Sequence, residues 1–276
     1  MVVDRPADIV VAGLAERRRL QELLETLWDI THRALLSPVG RAGRRALEAW
    51  GFPEPALDRL DIGYFPDPEF VAGEIRTRGD LAAGAAESAE LLPPTWSGRV
   101  VGPWRNSRGR ILTFFAWNAE CADRSQRYVF APHRRPRTPF GPARTDSPPV
   151  RHLFVVEGLL DVLLVSCYGM DDVMAIGGPI WLLSREMLVH LASTGVRELT
   201  VIPPDDEVGR HATLTILERA EGLQRPGLEV SVVDPASMAG ARDLGELVRR
   251  RDVGALTEVR ASRMEGDVYR LVLVPW

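Results

Sequence analysis

Acidic residues stand where apolar runs stop. Glu157 follows HLFVV directly, Asp205 and Asp206 come after ELTVI and two prolines, and Asp234 follows LEVSVV. Carboxylates crowded at the ends of buried strands repel one another and lose hydration, so they need a cation, a partner or another use. Several of them converging on one sheet edge suit a hard divalent cation such as Mg²⁺. That ion takes oxygen ligands in octahedral geometry and shares them with a substrate phosphate. It clamps the oxygens of a phosphoryl transfer and offsets the charge that develops. The plainer use of Glu157 and Asp206 is to cap the helices that follow, where an acid meets unpaired N–H groups. Acids at three of four strand ends weigh toward the cation.

A second set of residues is cationic. All 34 basic residues are arginine, so the chain has neither a phosphate-binding G-x-x-x-x-G-K-[ST] loop nor a Schiff-base lysine. Arg99, Arg105, Arg108 and Arg110 fall within twelve residues, and Arg127, Arg134, Arg135, Arg137 and Arg144 follow. A basic face able to contact phosphates is therefore expected despite a net charge of −4. Phe114, Phe115 and Trp117 lie in the same region as candidate base-stacking rings, although strand alternation turns half of such residues inward.

The elements that must position these residues follow from periodicity. After Val150, HLFVV, VMAI, ELTVI and LEVSVV read as strands. Between and after them, LLDVLLVSCYG, SREMLVHLAST, GRHATLTILERAEGL and ARDLGELVRRR read as helices. Alternating strands and helices predict βαβ units in a parallel sheet, whose chemistry sits at the carboxyl ends of its strands. Glu157, Asp206 and Asp234 are then expected together at the carboxyl edge of a sheet over 152–233.

Before that block, 7–36 carries leucines at helical spacing and predicts one or two amphipathic helices, with another over 41–50 ending at Gly51-Phe52-Pro53. Asp61–Pro66 predicts a short strand, 68–75 a helix, and 82–94 a connection of small residues. RVVGPW and RILTFFAW flank NSRG as an antiparallel hairpin, and QRYVFAP is a third strand. PHRRPRTPFGPARTDSPP reads as an exposed loop, and the tail EVRASRMEGDVYRLVLVPW as a hairpin or edge strand.

With 276 residues, 45% of them hydrophobic, the chain can build one large domain or two modest ones. No apolar run approaches a membrane span and the N-terminus has no secretory pattern, so a cytoplasmic location without membrane contact is expected. Two cysteines, Cys121 and Cys167, provide neither a disulfide framework nor a cysteine zinc site, and both are expected to be inert. Trp28 and His32, one helical turn apart, are expected to pack in a core.

VVEGLLDVLLVSCYG, then VMAIGGP, then acids before V-G-R, resembles the TOPRIM domain of primases, topoisomerases and some nucleases. ALEAWGFPEPALDRLDIGYFP, GRVVGPWRNSRGRILTFFAWN and QRYVFAP resemble the basal polymerase domain of bacterial DnaG-type primases, and the two blocks cover roughly residues 30–250 in the family's order. The resemblance implies an α/β chain in three parts. These are an α+β basal domain with a helical N-terminus over 1–150, a TOPRIM domain over 151–252, and a strand or tail over 253–276. It implies Glu157 and Asp206 as catalytic residues, with Glu157, Asp205, Asp206 and Asp243 holding Mg²⁺ or Mn²⁺. Arg99, Arg105, Arg108, Arg110, Arg127, Tyr128 and Asp161 would then contact nucleic acid or nucleotide.

The chain departs from the family at named places. Aligned on Gly209, the D-x-D motif falls on Pro204, Asp205 and Asp206, so its first aspartate is a proline, and Asp205 replaces that oxygen only if the loop shifts by one residue. In the third acidic segment, Asp243 is present and Gly245 stands for the second acid. The lysine-tyrosine pair is Arg127-Tyr128, Phe130 stands for an asparagine, and Asn118 for an arginine. The five histidines are scattered and no zinc is expected. A replicative helicase or a separate zinc-binding subunit is the expected partner. The leading reading is a core that binds single-stranded DNA and ribonucleoside triphosphates and makes short RNA primers. The alternatives are a catalytically inactive DNA-binding or assembly module and a TOPRIM nuclease, which leaves the first half unexplained.

Overall fold

The computed structural model describes residues 6–78, 90–106, 108–118, 127–131, 136, 138–141, 150–204, 206–223 and 227–273. The chain divides into two compact units, Met1–Ala46 with Leu57–Pro136, and Leu47–Ala56 with Arg137–Trp276.

The first unit is an antiparallel sheet with helices against it. Helix α1 is one continuous helix, Pro6–Leu36, and α2 follows at Arg41–Trp50. Strand β1 spans Gly63–Phe65 and helix α3 spans Pro68–Arg76. Asp67 caps α3 by accepting from the Phe70 N–H, and Pro68 occupies a position whose N–H would have no helical partner. Strands β2 (Arg99–Arg105), β3 (Ile111–Trp117) and β4 (Tyr128–Ala131) complete the order β1-β2-β3-β4. The hairpin between β2 and β3 closes where Asn106 Oδ1 accepts from the Arg108 and Arg110 N–H groups.

Leu23, Leu24, Leu27 and Ile30 of α1 recur at helical spacing and pack with Phe65, Val101 and Phe114 in one apolar cluster. Burying a side chain such as Leu27 or Phe114 stabilises by roughly 2 kcal/mol. Phe115 and Trp117 are as buried as Phe114. The expectation of a stacking surface is therefore corrected. From Thr113 to Trp117 both faces of β3 are covered, so alternation along the strand puts no aromatic ring in solvent.

The second unit is a mixed sheet. Strands β5 (His152–Val156), β6 (Val173–Ala175), β7 (Glu198–Val201), β8 (Glu229–Val233) and β9 (Arg263–Glu265) lie in the order β6-β5-β7-β8-β9. The first four run parallel in register, with Val155 opposite Val201 and Val201 opposite Val232. Helices α4 (Leu159–Ser166), α5 (Arg185–Ser193), α6 (Glu207–Ala220) and α7 (Leu244–Arg251) follow strands or loops as periodicity predicts.

The tail differs from the expected hairpin. It forms helix α8 (Gly254–Ala261), then β9 antiparallel on β8, then helix α9 (Gly266–Leu273). Only the edge-strand half of that expectation holds. The residues of VYRLV favour strands, but Tyr269 is fully buried against Leu217 and Val232, and that packing overrides propensity. The proline-arginine loop is also partly ordered by pairing, since Phe140 exchanges both backbone hydrogen bonds with Ala175. Arg134, Arg135, Arg137, Arg144 and Cys121 lie outside the described residues.

Candidate functional site

The parallel strands put the acids where the sequence predicts. Glu157 leaves β5, the Asp206 loop leaves β7 and Asp234 leaves β8, all at the carboxyl edge of one sheet. Each of these side chains is tied to backbone. Glu157 Oε1 accepts from the Ile180 N–H at 2.8 Å. Asp206 caps α6, accepting from the Gly209 N–H at 2.7 Å, and Asp234 accepts from Ala236 at 2.9 Å. Asp243 caps α7 through the Glu246 N–H at 2.7 Å. Asp206 thus caps the helix that follows it, as expected, whereas Glu157 does not cap α4, whose cap position, Gly158, supplies no side chain, and is tied to the Ile180 N–H instead. Among the described residues no three acidic, histidine or cysteine side chains form a group able to hold a metal ion. Asp205 lies outside the described residues.

The loop after β7 is tight. A Cβ added to Gly209 would come 2.3 Å from the Pro204 carbonyl oxygen, so only glycine lets α6 begin this close to the prolines.

Asp161, in the first turn of α4, is 5% exposed and its Oδ1 accepts from the Gly245 N–H at 3.0 Å. Position 245 is itself closed. A Cβ there would come 2.7 Å from Trp50 Nε1, 3.1 Å from Trp50 Cε2 and 3.2 Å from Arg249 Nη1. The indole is held in place: the Arg249 guanidinium lies 4.5 Å from its ring centroid and donates to the Trp50 carbonyl at 2.7 Å. Next to it, Glu246 accepts from the Arg242 backbone and pairs with Arg242 at 3.0 Å and Arg250 at 2.6 Å. Burial opposes its charge, but the Arg242 N–H and the two guanidiniums outweigh burial and hold its carboxyl below the usual value. The fold family implies a divalent cation held by these acids. Among the described residues Asp206 and Asp243 are engaged as helix caps, Glu157 is held by the Ile180 N–H, and position 245 has no room for an acid, so the described carboxylates alone do not assemble such a site.

The arginines divide by position in the sheet. Arg99 starts β2, beside the ends of β3 and β4 where Asn118 donates its backbone N–H to the Arg127 carbonyl at 3.0 Å. Arg105 ends β2 at the hairpin, where Arg108 and Arg110 are exposed. Tyr128 packs its ring edge-on against Phe115, with centroids 6.0 Å apart.

Arg105 is consumed within the unit. It pairs with Asp61 at 2.6 Å and Glu25 at 3.0 Å, donates to the Gly109 carbonyl at 2.9 Å, and lies 5.4 Å from the Trp28 ring. Burial opposes its charge, and the Asp61 and Glu25 carboxylates more than restore it, raising the guanidinium above its ordinary value. Burial also pushes the Asp61 carboxyl up, against the pull of Arg105. Trp28 stacks on His32 at 5.4 Å, and His32 Nδ1 meets the Ile62 carbonyl at 2.7 Å, so the packing expected of this pair is present. Sequence reasoning overlooked Glu25, Asp61 and Trp50. Only the Asp243-x-x-Glu246 spacing, a helix-start signature, was readable beforehand.

The two sheets and their connections are those of a primase catalytic core of the DnaG type. The chain has that fold over 94% of its length, with a TM-score of 0.75 and 20% identity, in comparison with a DnaG primase catalytic domain bound to ssDNA. The RNA polymerase domain of Mycobacterium tuberculosis DnaG, solved with a double-stranded DNA oligomer bearing a 6-nucleotide overhang, matches 91% of the chain with a TM-score of 0.71, 22% identity and 82% coverage of that domain. In sequence, the chain is 26% identical over 225 residues to the DNA primase of Geobacillus stearothermophilus and 25% identical over 224 residues to that of Escherichia coli K12. These matches cover 76% and 74% of this chain but only 36% and 37% of those proteins, so the chain spans little more than a third of its curated relatives. No family model matches it. No helix among the described residues is long and apolar enough to cross a membrane.

Proposed function

We propose that this chain is a primase-type core that holds single-stranded DNA and has lost self-sufficient primer synthesis. The observation that carries the loss is the filled space at Gly245. The family resemblance asks for an acid there, and the Trp50 indole, clamped by Arg249, occupies the volume its side chain would need. Pro204 removes a second acid from the same set. Glu157, Asp206 and Asp243 remain, each acting as a cap or a backbone tether. DNA binding is supported by the shared fold with a DnaG domain solved on ssDNA and by the exposed Arg108 and Arg110 at the hairpin. A replicative helicase and a zinc-binding subunit are the protein partners that this reading proposes.

Fluorescence anisotropy with a labelled single-stranded oligonucleotide tests the first half. Binding should weaken steeply with salt, with a log–log slope of about −0.7 for each phosphate neutralised. A template assay with ribonucleoside triphosphates in Mg²⁺ or Mn²⁺ tests the second half, and no primer is expected. Primer that appears, and disappears in both Glu157→Gln and Asp206→Asn, would overturn the loss and establish an RNA polymerase that depends on Glu157 and Asp206.

A further inference from the structure

We propose that the second unit pairs with a second copy of this chain through the free edge of β9 and the outer flank of α9. This surface is separate from the candidate site, and the pairing rests on neither DNA binding nor primer synthesis. Strand β9 closes the order β6-β5-β7-β8-β9, and among the described residues no strand pairs with its outer side. An open edge presents backbone N–H and C=O groups to any strand that can align with it.

Helix α9, which follows directly, is apolar on two sides. Its inner side buries Tyr269 among Leu217, Val232 and Met264. Val268, Leu271 and Val272, spaced i, i+3, i+4, form a second stripe and are 44%, 65% and 63% exposed. Arg270 fixes where that stripe lies, because it pairs with Glu221, just past α6, at 2.9 Å. At roughly 100° per residue, Val268 and Val272 project about 160° from Arg270. The stripe is therefore turned away from α6, toward the free side of β9.

The charges of β9 select a second copy as the occupant. The strand reads Arg263-Met264-Glu265. An edge of one sign repels its own copy, whereas this edge is self-complementary. Antiparallel pairing centred on Met264 sets Arg263 of each chain opposite Glu265 of the other. Arg263 uses Nη1 for Glu198 at 2.8 Å and His152 at 3.3 Å, and the rest of its guanidinium fork suits a further carboxylate. Glu265 is exposed. The same twofold axis, normal to the sheet, keeps both copies of α9 on one face. Tyr269 clusters with Val232 of β8 and Met264 of β9, so α9 sits over that strand pair. With strands about 4.8 Å apart, each helix axis stands about 5 Å from the dyad and the two helices about 10 Å from each other, close to the spacing of packed helices. The two apolar stripes then cover one another. A three-residue edge and one helix flank bury less than about 1,200 Å² in total, so micromolar rather than nanomolar affinity is expected.

Sedimentation velocity on the full chain without nucleic acid, over about 1 to 100 µM, tests the pairing. Wild type should pass from monomer to dimer as concentration rises. Leu271→Glu combined with Val272→Glu, both at exposed positions, should raise the dissociation constant about tenfold or more with an unchanged circular dichroism spectrum. Glu265→Arg, which sets arginine against arginine, should weaken pairing as well, and so should Arg263→Glu. Mixed together, the Glu265→Arg and Arg263→Glu chains should form a heterodimer although neither pairs with itself. A wild type that stays monomeric throughout would overturn the proposal and leave the stripe to a different protein. A dimer unchanged by these substitutions would overturn it too, since the interface would lie elsewhere. Pairing lost in the charge variants and not regained in their mixture would overturn the antiparallel register centred on Met264.

Discussion

Arg99 and Arg105 begin and end the same strand, about 20 Å apart along β2, and the structure treats them oppositely. Arg105 has two carboxylates, a carbonyl and an indole around it, and its side chain is 13% exposed. Arg99 borders a cavity, and its Nη1, closed off from solvent, has no acceptor among the described residues. The lesson is that a run of arginines is not a binding surface by virtue of its count. Acids brought from other elements, here Glu25 from α1 and Asp61 from the loop before β1, decide which cations are paired within the unit and which are not. Glu246 in the second unit repeats the Arg105 case with signs reversed, one acid answered by two arginines.

The largest effect is expected where a charge has neither partner nor room. Gly245→Asp should destabilise the protein by about 3 kcal/mol, combining overpacking against Trp50 with a poorly hydrated carboxylate. Urea denaturation measures this, and Trp50→Ala in the same chain should recover much of the loss. Full stability in the single variant would show that the indole moves aside freely, and would sink the argument that position 245 is closed.

Next comes the contrast within β2. Arg105→Ala should cost about 2 kcal/mol, because it leaves Glu25 and Asp61 facing each other partly buried, with the value discounted for their exposure. Arg99→Ala should change stability by less than about 1 kcal/mol, since no internal partner is lost. If Arg105→Ala left stability intact and lowered DNA affinity instead, the comparison would be broken and Arg105 would be a DNA contact.

The smallest effect is one of pH. Glu246 has a folded-state pKa below its unfolded value, so the stability it contributes is present above the unfolded carboxylate pKa. That contribution is lost as pH falls through the depressed folded value. Glu246→Gln should therefore flatten the acid limb of a stability-versus-pH curve between these two values and lower the plateau above them. An acid limb unchanged by the substitution would mean that Arg242 and Arg250 add nothing measurable to the carboxyl.

Much of the fold was readable from local pattern. Leu23, Leu24, Leu27 and Ile30 marked the buried stripe of α1, and the short apolar runs from HLFVV to LEVSVV marked strands that parallel pairing aligns at one edge. Because Glu157 and Asp234 follow those runs directly and Asp206 comes four residues after the end of ELTVI, their common edge was legible too. What each carboxylate does there was not. A tether and a metal ligand are the same residue at the same place in the chain, and the N–H that meets Glu157 comes from Ile180, 23 residues further along.

The sequence by itself determined the order of elements, the edge at which the acids gather, the absence of lysine chemistry and the departures at Pro204 and Gly245, all properties of residue type and short-range spacing. The tertiary structure decided how the arginines divide between the two ends of β2, that Phe114 and Phe115 are both core, and that Tyr269 makes a helix of the tail. It also decided that Trp50 fills the space at Gly245. The physical reason is one of range: Trp50 and Arg249 meet across 199 positions of chain, and Arg105 meets Glu25 across 80. Burial and electrostatic pairing depend on such neighbours, which periodicity within a window of a few turns does not contain.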